Sequence, residues 1–211
     1  MGYSLGWLLG VLLGMRHALE PDHLAAVSTL VARERSARRG ALLGLYWGIG
    51  HSAALFAIGG VLAALHRQMP PRAADAFELA VAVMLVALGV RAMRAALSPP
   101  PPHQHAARAT SGRFAARSLV VGLVHGTAGS GALTALVVAE LPSAATRVAY
   151  VALFGAGSIA GMALLSGLAG WPLARLGRNG RAATALTAAT GAISTVAGVA
   201  WGWPLLRALV G

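Results

Sequence analysis

The sequence predicts an all-α, polytopic membrane protein with about six transmembrane helices. Of its 211 residues, 57% are hydrophobic and only 11% are charged, whereas an average soluble domain is about 25% charged. A helix crosses a bilayer with about 20 apolar residues, and six stretches of the chain reach that length. Arginine-rich segments separate these stretches on alternate sides, which is typical of membrane spans.

The six predicted spans follow one another with short connections, except between the third and the fourth. The first span is interrupted by a polar cluster, and a proline-rich polar linker at about residues 98–117 joins the third span to the fourth. The linker also holds His103 and His105, which we interpret as linker residues rather than as a metal-capture site. The predicted spans cover about residues 3–32, 40–65, 74–97, 118–141, 146–168 and 182–209.

The placement of arginine predicts the orientation of the chain. Twelve arginines lie at the ends of, or just after, the first, third and fifth spans, and four lie on the opposite side. Because basic residues collect in cytoplasmic loops, both termini are predicted outside the cytoplasm in a multi-pass inner-membrane protein. The same excess of arginine in the loops accounts for the net charge of +11, so no nucleic-acid partner is expected. The expected surroundings of the chain are the lipid bilayer.

An internal repeat divides the chain into two halves. A glycine-rich stretch that contains His51 follows His17 by about 34 residues, and a second one, residues 155–159, follows His125 by about 33. Each half has three spans, so the two copies must point in opposite directions across the membrane, as in many secondary transporters. We therefore predict a single transmembrane domain, residues 1–211, built as an inverted 3+3 repeat of residues 3–97 and 118–209.

The polar cluster of the first span predicts a metal site. Each ionisable side chain near the bilayer centre costs about 2.5–3.5 kcal/mol unless it pairs, faces a cavity or binds a cation. Pro21 disfavours a continuous helix, and a break at membrane depth lines a cavity or is buried in protein. Imidazole with carboxylate suits Ni²⁺, Co²⁺, Cu²⁺ and Zn²⁺ far better than Mg²⁺ or Ca²⁺. The predicted ligands are His17, Asp22 and His23, with His51 and His125 as further candidates.

Other interpretations of these polar residues stay open. Arg16 can pair with Glu20 or with Asp22, or sit near the interface. A histidine such as His51 or His125 can also serve as a hydrogen-bonding residue between membrane helices. Small polar side chains at helix interfaces are expected to pack rather than to bind metal, and a small-residue face at residues 155–161 suits packing within a protomer or in a homo-oligomer. The small polar residues in question are Ser52, Thr127 and Ser130.

Two motifs resemble those of a known transporter family. The string R-H-A-L-E-P-D-H, residues 16–23, resembles the R-H-A-x-D-A-D-H signature of the nickel/cobalt transporter family, NiCoT, or NicO in its broader grouping. Gly50-His51-Ser52 resembles that family's L-G-H-S motif. The resemblance implies metal-ion transport with His17, Asp22, His23 and His51 as essential or metal-contacting positions. With six predicted spans, the chain resembles the small, urease-accessory-like branch of the grouping.

The predicted function is secondary transport of Ni²⁺ or Co²⁺, with uptake across the inner membrane favoured by the membrane potential. The chain has no cysteine and no lysine, which excludes thiolate sites and a P-loop. The ion is the substrate, and no permanently bound cofactor is expected. Efflux through the same site, and a non-transporting, metal-holding role in nickel-enzyme maturation, remain alternatives. The serine within Gly129–Gly131 has no later histidine to activate it, so we predict no enzyme.

Overall fold

A computed structural model describes residues 2–32, 34, 36–64, 69–98, 111–128, 143–176 and 180–210. These residues form seven helices and no strand, in agreement with the predicted all-α class. The helices in chain order are α1 (Gly2–His17), α2 (Pro21–Val31), α3 (Ala37–Ala64), α4 (Pro71–Leu97), α5 (Ser111–Gly126), α6 (Ala144–Leu176) and α7 (Gly180–Val210).

Four of these helices, α3, α4, α6 and α7, are long and apolar enough to cross a membrane. They coincide with the second, third, fifth and sixth predicted spans. Large apolar side chains cover their outer faces, and Val83, Leu168 and Val196 are each at least 60% exposed. Soluble monomers rarely expose apolar surface on this scale. The chain is therefore a membrane protein whose outer surface suits lipid.

The first predicted span is two helices joined by a tight turn. Helix α1 ends at His17 and α2 begins at Pro21. Glu20 has an extended backbone, with φ −63° and ψ 146°, because the ring of the following proline disfavours the helical conformation there. Pro21 occupies the first turn of α2, where a missing N–H does no harm. The interruption predicted from the proline is thus present, and neither half alone is long enough to cross a bilayer.

The fourth predicted span lies only partly within the described residues. Helix α5 ends at Gly126, and residues 129–142, with Ser130 among them, lie outside the described part of the chain. The linker histidines His103 and His105 lie outside it as well. The count of six spans and the inverted repeat therefore stay predictions.

Helix α3 makes two of the most extensive helix contacts in the bundle. It packs against α5 and against α6, while α1 packs against α6 and α4 pairs with α7. Glycine permits the close approaches: a Cβ atom at Gly44 would meet the carbonyl oxygen of Met162 on α6, and one at Gly48 would lie 2.7 Å from Ile159 Cα. Small residues that bring two backbones together are the usual basis of helix association in membranes.

The small-residue face at residues 155–161 is used within the protomer. A Cβ atom at Gly157 would meet the carbonyl oxygen of Val11, and one at Gly161 would lie 2.9 Å from Met15 Cα. Both contacts join α6 to α1. Of the two interpretations that the sequence left open for this face, intramolecular packing accounts for these contacts.

Candidate metal centre

The break between α1 and α2 brings the five predicted ligands together. His17 is the last residue of α1, and Asp22 and His23 lie in the first turn of α2. His51 lies in the middle of α3, and His125 lies one residue before the end of α5. In an unbroken helix, positions six apart such as 17 and 23 fall on different faces. The turn at Pro21 removes that restriction, so both imidazoles face the same interior space.

The first group of side chains consists of His17, His23 and His51. His17 Nε2 lies 3.0 Å from His51 Nε2, and the ring centre of His23 lies 4.4 Å from that of His17 and 5.2 Å from that of His51. One ring nitrogen from each of the three lies within 4.8 Å of the others. An imidazole nitrogen binds a first-row divalent ion at about 2.0–2.1 Å, so two nitrogens on one ion lie about 3 Å apart. The observed spacing therefore suits a shared ion.

The second group consists of Asp22, His23 and His125. Asp22 Oδ1 accepts hydrogen bonds from His23 Nδ1 at 3.0 Å and from the His23 backbone N–H at 2.9 Å. Asp22 Oδ2 lies 2.8 Å from His125 Nε2. The carboxylate thus joins α2 to α5. Arg16 is exposed, so the pairing of Asp22 with Arg16 that the sequence allowed is not formed.

Glu20 is directed at His17 rather than at Arg16. Its Oε1 atom lies 2.9 Å from His17 Nδ1, and Nδ1 has no hydrogen bond within the described residues. A carboxylate beside one ring nitrogen favours a proton there and leaves the lone pair on the other nitrogen, which is how outer carboxylates orient metal-binding histidines. Asp22 acts on His23 in the same way.

The four imidazoles are buried with unused hydrogen-bonding capacity. None of the four histidines is more than 4% exposed. In the part of the chain that the structure describes, three ring nitrogens besides His17 Nδ1 have no hydrogen-bond partner. Burying a polar group without a partner costs several kcal/mol in an apolar medium, so a ligand that takes these lone pairs would be stabilising. The three nitrogens are His23 Nε2, His51 Nδ1 and His125 Nδ1.

Two aromatic side chains that the sequence did not single out form walls of the centre. Trp47 stacks on His23, with ring centres 5.5 Å apart, and meets the ring of His125 edge-on at 5.5 Å. Phe154 on α6 lies 5.6 Å from His17. Trp47 could have been found from its spacing, because it precedes His51 by four residues and so shares its helix face. No sequence signal links Phe154 to the cluster.

Glycines on α5 set the distance between His51 and His125. A Cβ atom at Gly122 would meet the carbonyl oxygen of Trp47, and one at Gly126 would meet that of His51. These two positions flank His125 on adjacent turns of α5. Their missing side chains allow α5 to lie directly against the backbone of α3, which brings the ring centre of His125 to 6.2 Å from that of His51.

Two small polar residues near the centre make ordinary structural hydrogen bonds. Ser52 Oγ donates to the carbonyl oxygen of Gly155 at 3.2 Å and so joins α3 to α6. Thr127 Oγ1 donates to the carbonyl oxygen of Val124 at 2.7 Å. Both hydroxyls direct their protons at backbone atoms, as expected for packing residues.

Comparison with known proteins places the chain in a family. It is 33% identical, over 175 residues, to the urease accessory protein UreH of Bacillus sp. (strain TB-90), and the match covers 78% of this chain and 75% of the relative. The chain matches no protein-family model and no solved structure. The relative's name describes an accessory protein rather than an enzyme, which agrees with the prediction that this chain is not an enzyme. The chain belongs to the UreH family.

Proposed function

We propose that this member of the UreH family is a secondary transporter that carries Ni²⁺ or Co²⁺ across the inner membrane through its histidine–aspartate centre. One observation carries the proposal: four buried imidazoles and one carboxylate converge inside a bundle of apolar helices, with ring nitrogens that have no hydrogen-bond partner among the described residues. Ionisable groups in such surroundings are expensive, and they mark ion pathways in membrane proteins. The centre consists of His17, Asp22, His23, His51 and His125.

The donor set selects the class of ion. Imidazole nitrogens with one carboxylate prefer divalent transition metals, whereas Mg²⁺ and Ca²⁺ prefer oxygen ligands alone. The motif around His17, Asp22 and His23 is also the one that resembles the NiCoT family, and we propose that the two families share this site. The relative is named for urease, which agrees with a nickel-related role and with a partner system that matures a nickel enzyme.

The membrane potential favours uptake. Moving one charge inward across 100 mV releases about 2.3 kcal/mol, so a divalent ion gains about 4–5 kcal/mol. That free energy corresponds to a concentration ratio of more than about a thousandfold. Uptake therefore needs no ATP, whereas efflux through the same centre would need a coupled ion.

The six-span, inverted arrangement belongs to the same proposal. Helices α1 and α2 together form one broken crossing, and α5 begins another. The packing of α5 on α3 has a counterpart in the packing of α1 on α6. Gly14 and Gly122 each lie three residues before the histidine of their repeat, and a Cβ atom at either would meet a carbonyl oxygen of the partner helix, that of Phe154 or of Trp47. Such matched contacts support an internal two-fold relationship.

The proposed topology places both termini outside the cytoplasm. It is tested by introducing a single cysteine at Ser36, in the connection before α3, because the natural chain has no cysteine. We expect labelling only after the inner membrane is made permeable. Labelling of intact cells from outside would overturn the orientation.

The function itself is tested by the flux of radiolabelled Ni²⁺ in cells that express the protein, beside a His23→Ala variant of equal abundance. Accumulation above the empty-vector control, lost in the variant and suppressed by excess Co²⁺ but not by Mg²⁺, is the expected result. Accumulation below the control would identify an exporter that uses the same centre. Equal accumulation in all three would contradict transport.

A second function, a membrane protein that holds metal for enzyme maturation without transporting it, is favoured by one observation: the relative's name is that of an accessory protein. This function needs the same centre but no passage for the ion. Purified protein that binds Ni²⁺ yet moves none into sealed vesicles would establish it.

A further inference from the structure

We propose that the ion occupies two neighbouring positions in turn, and that His23 is shared by both. Position A is formed by His17, His23 and His51, and position B by Asp22, His23 and His125. The inference rests on the proposed transport function and deepens it, because it assigns a distinct step to each half of the centre. An ion in transit would be held first at one position and then handed to the other.

The ring of His23 carries the inference because Asp22 engages one of its two nitrogens and leaves the other without a partner. Nδ1 lies 3.0 Å from Asp22 Oδ1, within the set of side chains that forms position B. Nε2, across the ring, is buried without a hydrogen-bond partner among the described residues. The ring centre is 4.4 Å from that of His17 and 4.2 Å from that of His125, so His23 lies between the two positions.

The two positions draw on different helices. Position A takes its ligands from α1, α2 and α3, which are all in the first predicted repeat. Position B takes Asp22 and His23 from α2 but His125 from α5, which begins the second repeat. A displacement of α5 away from α2 would separate His125 from Asp22 without moving any member of position A. Position B is therefore the one whose formation depends on the conformation of the transporter.

One ion occupies the pair at a time. A neutral imidazole has one lone pair available, since its other nitrogen carries a proton, so His23 can serve one position but not both. Two divalent ions on opposite sides of one ring would also repel each other strongly, and Asp22 is the single carboxylate within the two groups. When the ion leaves His23 Nε2, that nitrogen can take the proton displaced from Nδ1, so the transfer needs no net proton at His23.

The test compares ion binding with ion flux in the full-length protein. Wild type, His51→Ala and His125→Asn are purified and reconstituted in lipid nanodiscs. Their binding of Co²⁺ is measured by titration and by the cobalt absorption spectrum. The same proteins in sealed vesicles are assayed for Co²⁺ flux. Asparagine at position 125 retains an N–H donor for Asp22 but binds metal poorly, which separates loss of a ligand from loss of structure. Ser194→Ala, a buried change between α4 and α7, is the control.

We expect one Co²⁺ per wild-type chain. His51→Ala should weaken binding by about 100-fold or more, because position A loses a direct ligand. His125→Asn should bind Co²⁺ within about threefold of wild type while its flux falls by about tenfold or more, since position A remains and the hand-off is lost. The control should match wild type in both assays.

Three results would overturn the two-position arrangement. Two ions per chain would show that the positions fill together. Equal loss of binding in His51→Ala and His125→Asn would show one joint centre. Unchanged flux in His125→Asn would remove position B from the path. These results differ from failure of the proposed function, in which wild-type protein binds Co²⁺ but moves none, and which would remove the hand-off as well.

Discussion

The helix pair α4–α7 and the histidine centre both bury polar side chains among apolar helices, but they differ in what those side chains bond. Between α4 and α7, Ser194 Oγ donates to the carbonyl oxygen of Leu85 at 2.9 Å, and Thr190 Oγ1 donates within its own helix to Thr187 at 3.2 Å. In the centre, by contrast, His23 Nε2, among other nitrogens, has no partner in the described part of the chain. A satisfied hydroxyl is engaged with the protein itself, whereas an unsatisfied ring nitrogen in the centre is available to a ligand.

Helix α2 connects the two regions and contains polar side chains of both kinds, those with a hydrogen-bond partner and those with an unused nitrogen. Near its C-terminal end, Thr29 Oγ1 lies 3.0 Å from the carbonyl oxygen of Ala25 and 3.3 Å from that of Thr190 on α7. Its first turn carries Asp22 and His23 of the centre. The C-terminal half of α2 thus anchors the half that carries Asp22 and His23, and we infer that α4 and α7 serve as a scaffold for the candidate site.

Removing a candidate ligand should have the largest effect on metal binding. A small effect would contradict the difference drawn between the centre and the α4–α7 pair. We expect His23→Ala to lower Ni²⁺ or Co²⁺ affinity by more than about 100-fold, beyond the 10–100-fold typical of outer partners, because both groups lose a member. His17→Ala and Asp22→Ala should likewise abolish metal accumulation while the protein still inserts. Equilibrium binding and cellular accumulation check these outcomes, and normal accumulation in any of the three would refute the site.

A substitution that pushes α5 away from α3 should have the second-largest effect. In Gly122→Ala the new methyl group meets the carbonyl oxygen of Trp47, and we expect a loss of about 1–3 kcal/mol in the free energy of unfolding, with weaker metal binding. Gly59→Ala is the matched control, since open space surrounds Gly59 on α3. It should be neutral or stabilising by up to about 1 kcal/mol. Thermal unfolding in detergent measures the stability of both variants. Equal losses of stability in the two would contradict the close packing of α5 on α3.

Removing a satisfied hydroxyl from the scaffold should have a smaller effect, on stability alone. Ser194→Ala deletes the hydrogen bond to the carbonyl oxygen of Leu85, and we expect a loss of about 0.6 kcal/mol, the average for hydrogen bonds between membrane helices. Metal affinity should stay within about twofold of wild type. A large loss of affinity at unchanged stability would mean that α4–α7 takes part in binding.

The smallest effect is expected at Thr127, just after α5, whose hydroxyl bonds to the carbonyl oxygen of Val124 in the last turn of that helix. Thr127→Ala should change Ni²⁺ flux by less than about twofold, because no ligand is removed. A complete loss of flux in cells with normal protein levels would show that the second repeat contributes more to the centre than His125.

Much of the site could be predicted because lipid makes ionisable residues conspicuous. In an apolar span, His17, Asp22 and His23 around a proline have few explanations other than a buried site, and the break that unites them follows from the geometry of Pro21 itself. The partner of Glu20 was not predictable in this way. Its neighbour in sequence, Arg16, is exposed, and the turn directs Glu20 at His17 instead.

The sequence by itself determined the membrane class, the four long apolar helices, the break at Pro21 and the choice of candidate ligands, because hydropathy and proline act locally along the chain. Only the tertiary structure decided that Asp22, which bonds its neighbour His23, also bonds His125, that His17 faces His51, and that Trp47 and Phe154 enclose them. Those relations depend on how closely α5 and α6 approach α3 and α1. Such distances are set by glycines on one helix that meet backbone atoms of another, and no periodicity within either helix records which partner they meet.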